Sequence, residues 1–145
     1  MFEKLEHLGI AVKNIEEADS LFKLLLGGSF YKQEEVESEG VKTAFYDGGN
    51  TKIELLEATR ENSPIKKFID KRGEGLHHIA FEVDDIYQRM EELKRDGFRL
   101  LNESPKPGAD NKLICFIHPK DTNGILIELC MDKDKAQKES RRDDI

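Results

Sequence analysis

Two histidines stand at matching places in two similar stretches of this chain. The stretch HLGIAVKNI, residues 7–15, begins with His7, and the stretch HIAFEVDDI, residues 78–86, begins with His78. In each, an apolar segment of strand character follows the histidine and leads through a polar cap into a helix. Imidazole is the commonest protein ligand of transition metals and exchanges protons near neutral pH. The repeat therefore predicts two equivalent imidazoles, one from each copy.

A glutamate repeats in the same way further along each copy. The stretch DGGNTKIEL matches DTNGILIEL, so Glu54 aligns with Glu128. A carboxylate inside an apolar strand costs free energy unless it is paired or bound to a metal. Two imidazoles and two carboxylates suit a divalent cation of the Zn, Co, Ni, Mn or Fe group. We therefore predict one divalent metal ion with the ligands His7, Glu54, His78 and Glu128.

Strand periodicity selects His78 rather than its neighbour His77, because adjacent residues of a strand point to opposite faces. His7 shares its face with the small residues Gly9 and Ala11, and His78 shares its face with Ala80. These small residues leave room beside each imidazole. His77 is assigned to the opposite face together with Ile79, Phe81 and Val83. The bulky apolar residues of that face are expected to pack against the helices.

Each copy predicts a βαβββ module, which is one strand, one helix and three further strands. In the first copy, Asn14 is expected to cap a helix that ends at Gly27 and Gly28, and in the second Asp84 or Asp85 caps a helix that ends at Gly97. The predicted strands of the first copy are 5–12, 29–37, 41–47 and 50–57. Their counterparts in the second copy are 76–83, 98–102, 112–118 and 124–130.

The domain organisation follows from these modules. We predict an α+β fold in a single domain, residues 1–130, with modules at 4–59 and 75–130 and a linker helix at about 63–71 that starts near Pro64. Residues 131–145, MDKDKAQKESRRDDI, are mostly charged, with both signs balanced. This segment is expected to be a solvated C-terminal tail.

Composition excludes several classes of function. The formal net charge of −7 and the sequence pI near 5.2 argue against non-specific binding of nucleic acid. No apolar stretch is long enough to span a bilayer, and the N-terminal sequence lacks the features of a signal peptide. The two cysteines, Cys115 and Cys130, form no CxxC pair and are expected to be small core residues. We therefore expect a cytoplasmic protein that binds neither membranes nor nucleic acid.

The chain resembles the methylmalonyl-CoA epimerase family of the vicinal oxygen chelate superfamily. The stretches that carry the resemblance are HLGIAVKNI, GNTKIELLEA, NSPI, GEGLHHIAFEVDDI and, most specifically, FIHPKDTNGILIELC. The resemblance implies two tandem βαβββ modules that form an open cup-shaped sheet around a metal site. The family's metal ligands are a His, a Gln or Glu, a second His and a Glu. They fall on the same four residues that the repeat selects, His7, Glu54, His78 and Glu128.

The implied reaction interconverts the 2R and 2S forms of methylmalonyl-CoA by removal and return of the α-proton. The metal would carry the charge that develops as the proton leaves, and Glu128 is the candidate base. Some family members have a second glutamate on the third strand, where this chain has Thr43. A threonine hydroxyl orients water but is a weak base, so the second proton carrier stays open between a water on the metal and Glu37 or Glu39.

An acyl-CoA substrate also needs cations near its phosphates. The candidates are Lys112, His118 and Lys120, with Lys106 nearby, in or beside the loops of the second copy. No phosphate-cradling glycine motif accompanies them. As in the resembled family, we expect a homodimer.

The sequence leaves two alternative functions open besides the epimerase. A glyoxalase I-like lactoylglutathione lyase would use similar His and Glu ligands, and a metal-free small-molecule-binding protein of the same fold would lack them. An extradiol dioxygenase fits less well, since it needs only three protein ligands and this chain presents four.

Overall fold

The computed structural model describes residues 2–143, which contain eight strands and four α-helices. In chain order these are β1 (Phe2–Ala11), α1 (Ile15–Leu26), β2 (Lys32–Val36), β3 (Val41–Asp47), β4 (Lys52–Ala58), α2 (Pro64–Arg72), β5 (Gly75–Val83), α3 (Ile86–Arg95), β6 (Lys106–Pro107), β7 (Lys112–Ile117), β8 (Ile127–Asp132) and α4 (Lys133–Asp143). The α+β class and the two βαβββ modules are thereby confirmed. Met1 and the last two residues of the predicted tail, 144 and 145, lie outside the described residues.

The chain divides into two compact units, and the first covers residues 6–78. Its strands are ordered β2-β3-β4-β1, with β1 parallel to β4 and the other pairs antiparallel. Helix α1 packs on one face of these strands over a buried apolar cluster, Val12, Ile15, Ala44, Tyr46 and Leu55. The opposite face of β1 and β4 is the one that bears His7 and Glu54, so the predicted division between an apolar face and a histidine face is correct for this unit.

Helix α2 closes part of the histidine face of the first unit. Ile65 of α2 packs with Ala11, Val41 and Leu56. The hydroxyl of Ser63 caps the helix by accepting a hydrogen bond from the backbone N–H of Ile65 at 3.2 Å. Pro64 occupies the first helical position, where its missing N–H costs nothing. The linker helix predicted at about 63–71 is therefore present.

The second unit comprises residues 2–5 and 79–143. Its strands are ordered β5-β8-β7-β6, with β5 parallel to β8 and the other two pairs antiparallel. Helix α3 packs over the cluster Val83, Ile86, Met90, Cys115, Leu129 and Met131. The second unit thus repeats the strand order and the helix position of the first.

The helix ends follow the predicted chemistry. Asn14 caps α1 by accepting a hydrogen bond from the backbone N–H of Glu17 at 2.9 Å, and Gly27 ends it with a φ of 77°. Of the two candidates for the second cap, the structure selects Asp85, which accepts from the N–H of Gln88 at 3.2 Å. Gly97, with a φ of 90°, follows α3. Left-handed backbone at these two positions is accessible to glycine at little cost.

The predicted strand at 98–102 was wrong. The structure instead has an isolated bridge between Leu100 and Ile117, and β6 lies further on at Lys106–Pro107. Two backbone hydrogen bonds join this segment to β7, from the N–H of Leu101 to the carbonyl of Phe116 at 2.9 Å and from the N–H of His118 to the carbonyl of Arg99 at 2.8 Å. Beyond them the side chain of Asn102 takes over: its Oδ1 accepts from the N–H of Phe116 at 3.2 Å, and its Nδ2 donates to the carbonyl of Ile114 at 3.3 Å, so the pairing does not extend into a full strand.

The predicted boundary at residue 130 also moves. Strand β8 continues through Asp132, and Met131 is 1% exposed in the core of the second unit. Met131 therefore belongs to the apolar pattern of β8, although the sequence prediction placed this residue in the charged tail. Helix α4 begins directly afterwards, and Ala136 packs against the same core.

None of the helices in residues 2–143 is both long enough and apolar enough to cross a membrane.

The core of the first unit yields a stability prediction. Leu55 is fully buried between α1 and the strands, so Leu55→Ala should lower the free energy of unfolding by about 2–5 kcal/mol through lost burial and a residual cavity. Leu24→Ala on α1, at a position 77% exposed, is the matched control and should change it by less than about 0.5 kcal/mol. Urea denaturation measures both, and equal effects would contradict the packing described here.

Candidate metal centre

Three of the four predicted ligands meet on the histidine face of the first unit. His7 on β1, Glu54 on β4 and His78 on β5 are 5%, 4% and 6% exposed. The Nε2 atoms of His7 and His78 lie 3.0 Å apart, and the two rings are nearly perpendicular. Glu54 Oε2 lies 2.9 Å from the other ring nitrogen of His7, Nδ1. The structure thus brings two imidazoles and one carboxylate into direct contact inside the protein.

Gly9 makes this contact possible. A Cβ atom at Gly9 would lie 2.2 Å from Cε1 of His78 and 2.7 Å from its Nε2. Real side-chain atoms do not approach so closely, so the imidazole of His78 fits against β1 only because this position has no side chain. The sequence argument that small residues leave room beside the imidazoles is correct at this position.

Glu6 is a buried residue of the centre that the sequence analysis missed. Its side chain is 4% exposed, and its Oε1 lies 3.2 Å from His7 Nδ1 and 3.2 Å from the Nζ of Lys52. Strict alternation would turn Glu6 away from His7. A sequence signal did exist, because both aligned histidines follow a residue with a polar side chain, Glu6 in one copy and His77 in the other.

His77 also contacts the centre, although it was assigned to the other face. Its Nδ1 lies 2.9 Å from the Nδ1 of His78, and its ring packs edge-on against Phe68 of α2 at 5.0 Å between centroids. Burial lowers the pKa of His77 to about 4, because the charged imidazolium loses its hydration. His77 is therefore neutral near pH 7 and has one ring nitrogen that accepts a hydrogen bond.

Glu128 belongs to the second unit, where it occupies the same register as Glu54 in the first. Strand pairing places Glu54 opposite Gly9 and Phe45. It places Glu128 opposite Ala80 and Phe116. His7 precedes Gly9 by two residues, as His78 precedes Ala80. The two modules therefore share both their sequence pattern and the register between the strand that carries the histidine and the strand that carries the glutamate.

The donors of the first unit fit a divalent transition metal. Two nitrogens at about 2.0–2.1 Å from one ion, at the angles of octahedral or tetrahedral geometry, are separated by roughly 2.8–3.4 Å. The two Nε2 atoms are 3.0 Å apart. Two imidazoles and a carboxylate match the ligand preference of zinc and its neighbours, and no thiolate is needed.

The proposed substrate-binding residues lie in different settings. Thr43 is 2% exposed on β3 and pairs with Leu56. Lys112 is 7% exposed at the start of β7, and its Nζ contacts Asp132 Oδ1 at 2.8 Å. His118 precedes the 3-10 turn Pro119–Asp121, and its Nδ1 accepts a hydrogen bond from the N–H of Lys120 at 3.1 Å.

An ion pair fixes the loop that carries His118 and Lys120. Asp121 Oδ1 lies 2.8 Å from Nη2 of Arg99, and Asp121 Oδ2 accepts from the backbone N–H of Arg99 at 2.8 Å. These hydrogen bonds with Arg99 lower the pKa of Asp121 to about 2. The carboxylate is therefore charged throughout the neutral range and holds one side of the loop in place.

The thiol of Cys115 is not activated as a nucleophile. Cys115 and Cys130 are both buried thiols outside any disulfide, and burial raises the pKa of the Cys115 thiol to about 11. The thiolate is the reactive form of cysteine, and a thiol with so high a pKa is almost entirely protonated near pH 7. Their predicted role as small core residues agrees with this placement.

Known proteins match nearly the whole chain. Residues 6–116 match the family described as Glyoxalase/Bleomycin resistance protein/Dioxygenase superfamily. The ethylmalonyl-CoA/methylmalonyl-CoA epimerase of Cereibacter sphaeroides is 41% identical over 131 residues, which cover 89% of this chain and 98% of that protein. The lactoylglutathione lyase of Neisseria meningitidis is 28% identical over 131 residues, covering 90% of this chain and 91% of the lyase.

A solved structure shows the same fold. A variant of Streptomyces coelicolor methylmalonyl-CoA epimerase in complex with 2-nitronate-propionyl-CoA superposes with a TM-score of 0.86. It is 33% identical in sequence, and the match covers 92% of this chain and 99% of that chain.

The close approach at Gly9 yields a prediction for the centre. Gly9→Ala should displace the imidazole of His78 and weaken zinc binding at least about tenfold, because its Nε2 can no longer face that of His7. Gly28→Ala is the matched control, since nothing lies within 4 Å of a Cβ there. Zinc titration by calorimetry compares the two, and unchanged affinity in Gly9→Ala would contradict this arrangement.

Proposed function

We propose that this chain, which belongs to the glyoxalase/bleomycin resistance protein/dioxygenase superfamily, is a metal-dependent epimerase that interconverts the 2R and 2S forms of methylmalonyl-CoA. The observation that carries the proposal is the register that the two modules share: Glu54 pairs with Gly9, two residues after His7, and Glu128 pairs with Ala80, two residues after His78. The similarity to epimerases over about nine-tenths of the chain supports the choice of reaction within the superfamily.

The proposed ligands of the ion are His7, Glu54, His78 and Glu128. The contacts among the first three support this assignment, and the shared register supports the addition of Glu128. When bound, a Zn, Co, Ni or Mn ion would stabilise the negative charge that develops on the thioester oxygen as the α-proton leaves. Glu54 now contacts Nδ1 of His7, so it would turn from that nitrogen to become a ligand.

The base in this proposal is Glu128. Glu128 is 4% exposed on β8, where strand pairing sets it opposite Ala80 and Phe116. Glu128 takes the α-proton as the C–H bond breaks, and the electron pair of that bond passes to the thioester carbonyl. Return of a proton to the opposite face of the carbon inverts the configuration. With an ion bound, Glu128 would have to loosen from it to act as a base, since a bound carboxylate has less affinity for protons.

Thr43 takes no proton in this proposal, because a hydroxyl is too weak a base. It is instead proposed to orient a water molecule that serves as the second proton carrier. Thr43 pairs with Leu56, two residues after Glu54, and is buried. Glu37 and Glu39, the alternative carriers, lie on a 3-10 turn before β3, and Glu37 is exposed.

The acyl-CoA phosphates are proposed to bind near the Pro119–Asp121 turn. Lys120 is exposed there, beside His118, and the ion pair between Arg99 and Asp121 holds the loop. Lys112 would have to exchange its contact with Asp132 for a phosphate. A homodimer is part of the same proposal and comes from the resemblance alone, whereas the cytoplasmic location is proposed from the two cysteines, which make no disulfide framework.

A lactoylglutathione lyase is the second candidate, because its proton transfer and its ligands are similar. The lower identity to that enzyme, 28% against 41%, favours the epimerase. Turnover of the glutathione adduct of methylglyoxal, assayed beside methylmalonyl-CoA, separates the two.

Deuterium exchange tests the reaction itself. In heavy water the metal-loaded protein should wash deuterium into the α-position of methylmalonyl-CoA, and Glu128→Gln should slow this by about 10²- to 10⁴-fold, because an amide is not a base. Glu91→Gln, which alters a glutamate that is 70% exposed on α3, is the control and should exchange at the normal rate. Absence of exchange in the unaltered protein would refute the epimerase.

Metal removal tests the cofactor. Treatment with a chelator followed by desalting should abolish exchange, and addition of zinc, cobalt, nickel or manganese should restore it. Metal content is measured by mass spectrometry before and after. A chelated protein that contains no ion and still exchanges at full rate would favour a metal-free mechanism.

A further inference from the structure

We infer that Glu6 and His77, the residues directly before the two histidine ligands, are positioning residues for the metal centre. Each would accept a hydrogen bond from the Nδ1–H of the following imidazole and so keep its Nε2 lone pair directed at the ion. The inference rests on the proposed function, because it assumes that His7 and His78 are ligands. All the contacts of Glu6, His7, His77 and His78 used here lie within the first unit.

The hydrogen-bond chemistry of the rings carries the assignment. An imidazole that binds a metal through Nε2 must present a lone pair there, so its hydrogen lies on Nδ1. The Nε2 atoms of His7 and His78 face each other at 3.0 Å. Both Nδ1 atoms therefore have to be hydrogen-bond donors in the loaded protein, and each needs an acceptor.

His7 has two carboxylates at its Nδ1, Glu54 at 2.9 Å and Glu6 at 3.2 Å. If Glu54 turns to the ion, Glu6 remains as the acceptor. The ammonium of Lys52, 3.2 Å from the same Glu6 oxygen, offsets the charge of this buried carboxylate. Glu6 thereby frees Glu54 for the metal without loosening His7.

His78 has a neutral acceptor instead of a carboxylate. Its Nδ1 lies 2.9 Å from the Nδ1 of His77, and only one of these two nitrogens can carry the shared hydrogen. If His78 donates, His77 must hold its own hydrogen on Nε2. The ring of Phe68, packed edge-on at 5.0 Å, keeps His77 in this orientation.

The two positioning residues are equivalent by the internal repeat. Glu6 precedes His7 and His77 precedes His78, so the same local device serves both ligands. The difference in charge has a consequence: a carboxylate raises the basicity of the imidazole it holds more than a neutral imidazole does. His7 would therefore donate its Nε2 electron pair to the ion more strongly than His78.

Paired variants test each residue by zinc affinity, measured by competition with a chelating dye. His77→Phe retains the bulk and loses the acceptor, whereas His77→Asn retains an acceptor oxygen close to the position of Nδ1. Glu6→Leu and Glu6→Gln form the same kind of pair. We expect Phe and Leu to weaken zinc binding about 10- to 100-fold and Asn and Gln to stay within about threefold of the unaltered protein. Equal affinities in all four variants would overturn the inference.

A spectroscopic measurement needs no variant to fold. Long-range ¹⁵N–¹H correlation spectra of the zinc-loaded, unaltered protein report which ring nitrogen carries each hydrogen. We expect the hydrogen on Nδ1 in His7 and His78 and on Nε2 in His77. A hydrogen on Nδ1 of His77 in the loaded protein would refute its role. If the unaltered protein binds no zinc, cobalt, nickel or manganese, the proposed function fails as well, whereas a normal epimerase with insensitive variants sinks this inference alone.

Discussion

The approach of two buried imidazoles to within 3.0 Å of each other is the constraint on which the first unit depends. Two nitrogens at this distance need either a shared hydrogen or a common cation, because facing lone pairs repel. Burial removes the water that would otherwise solvate them. The absence of a side chain at Gly9, the carboxylates at His7 and the ring of His77 at His78 all serve this one contact.

The apolar face of the strands determines where the polar face points. A slip of one residue between β1 and β4 would exchange the two faces and expose Val12 and Leu55 while turning His7 toward α1. The cluster beneath α1 opposes such a slip because its members are almost fully buried. The same argument holds for β5 and β8, whose core residues Val83 and Leu129 pack under α3. Ordinary core packing thus holds the register that aligns Gly9 with Glu54 and Ala80 with Glu128.

The net charge of −7 does not exclude the proposed anionic substrate. Acidic groups at the centre are held by partners, as Lys52 holds Glu6. The cations proposed to meet the substrate lie near the Pro119–Asp121 turn of the second unit, where Lys120 is exposed. Because salt screens distant surface charges, the charges nearest to a small ligand dominate the field that it meets.

The repeated βαβββ modules, most helix ends and the choice of His78 over His77 as the equivalent of His7 could be predicted from the amino-acid sequence. These features follow from local rules, namely the period of a strand and the chemistry of capping residues. Other features emerged only from the folded chain: Glu6 and His77 also reach the centre, Glu54 contacts Nδ1 of His7, and the side chain of Asn102 ends the pairing of a predicted strand. Periodicity states on which side of a strand a side chain starts. Which atoms it finally meets depends on strand pairing and packing between residues far apart in the chain.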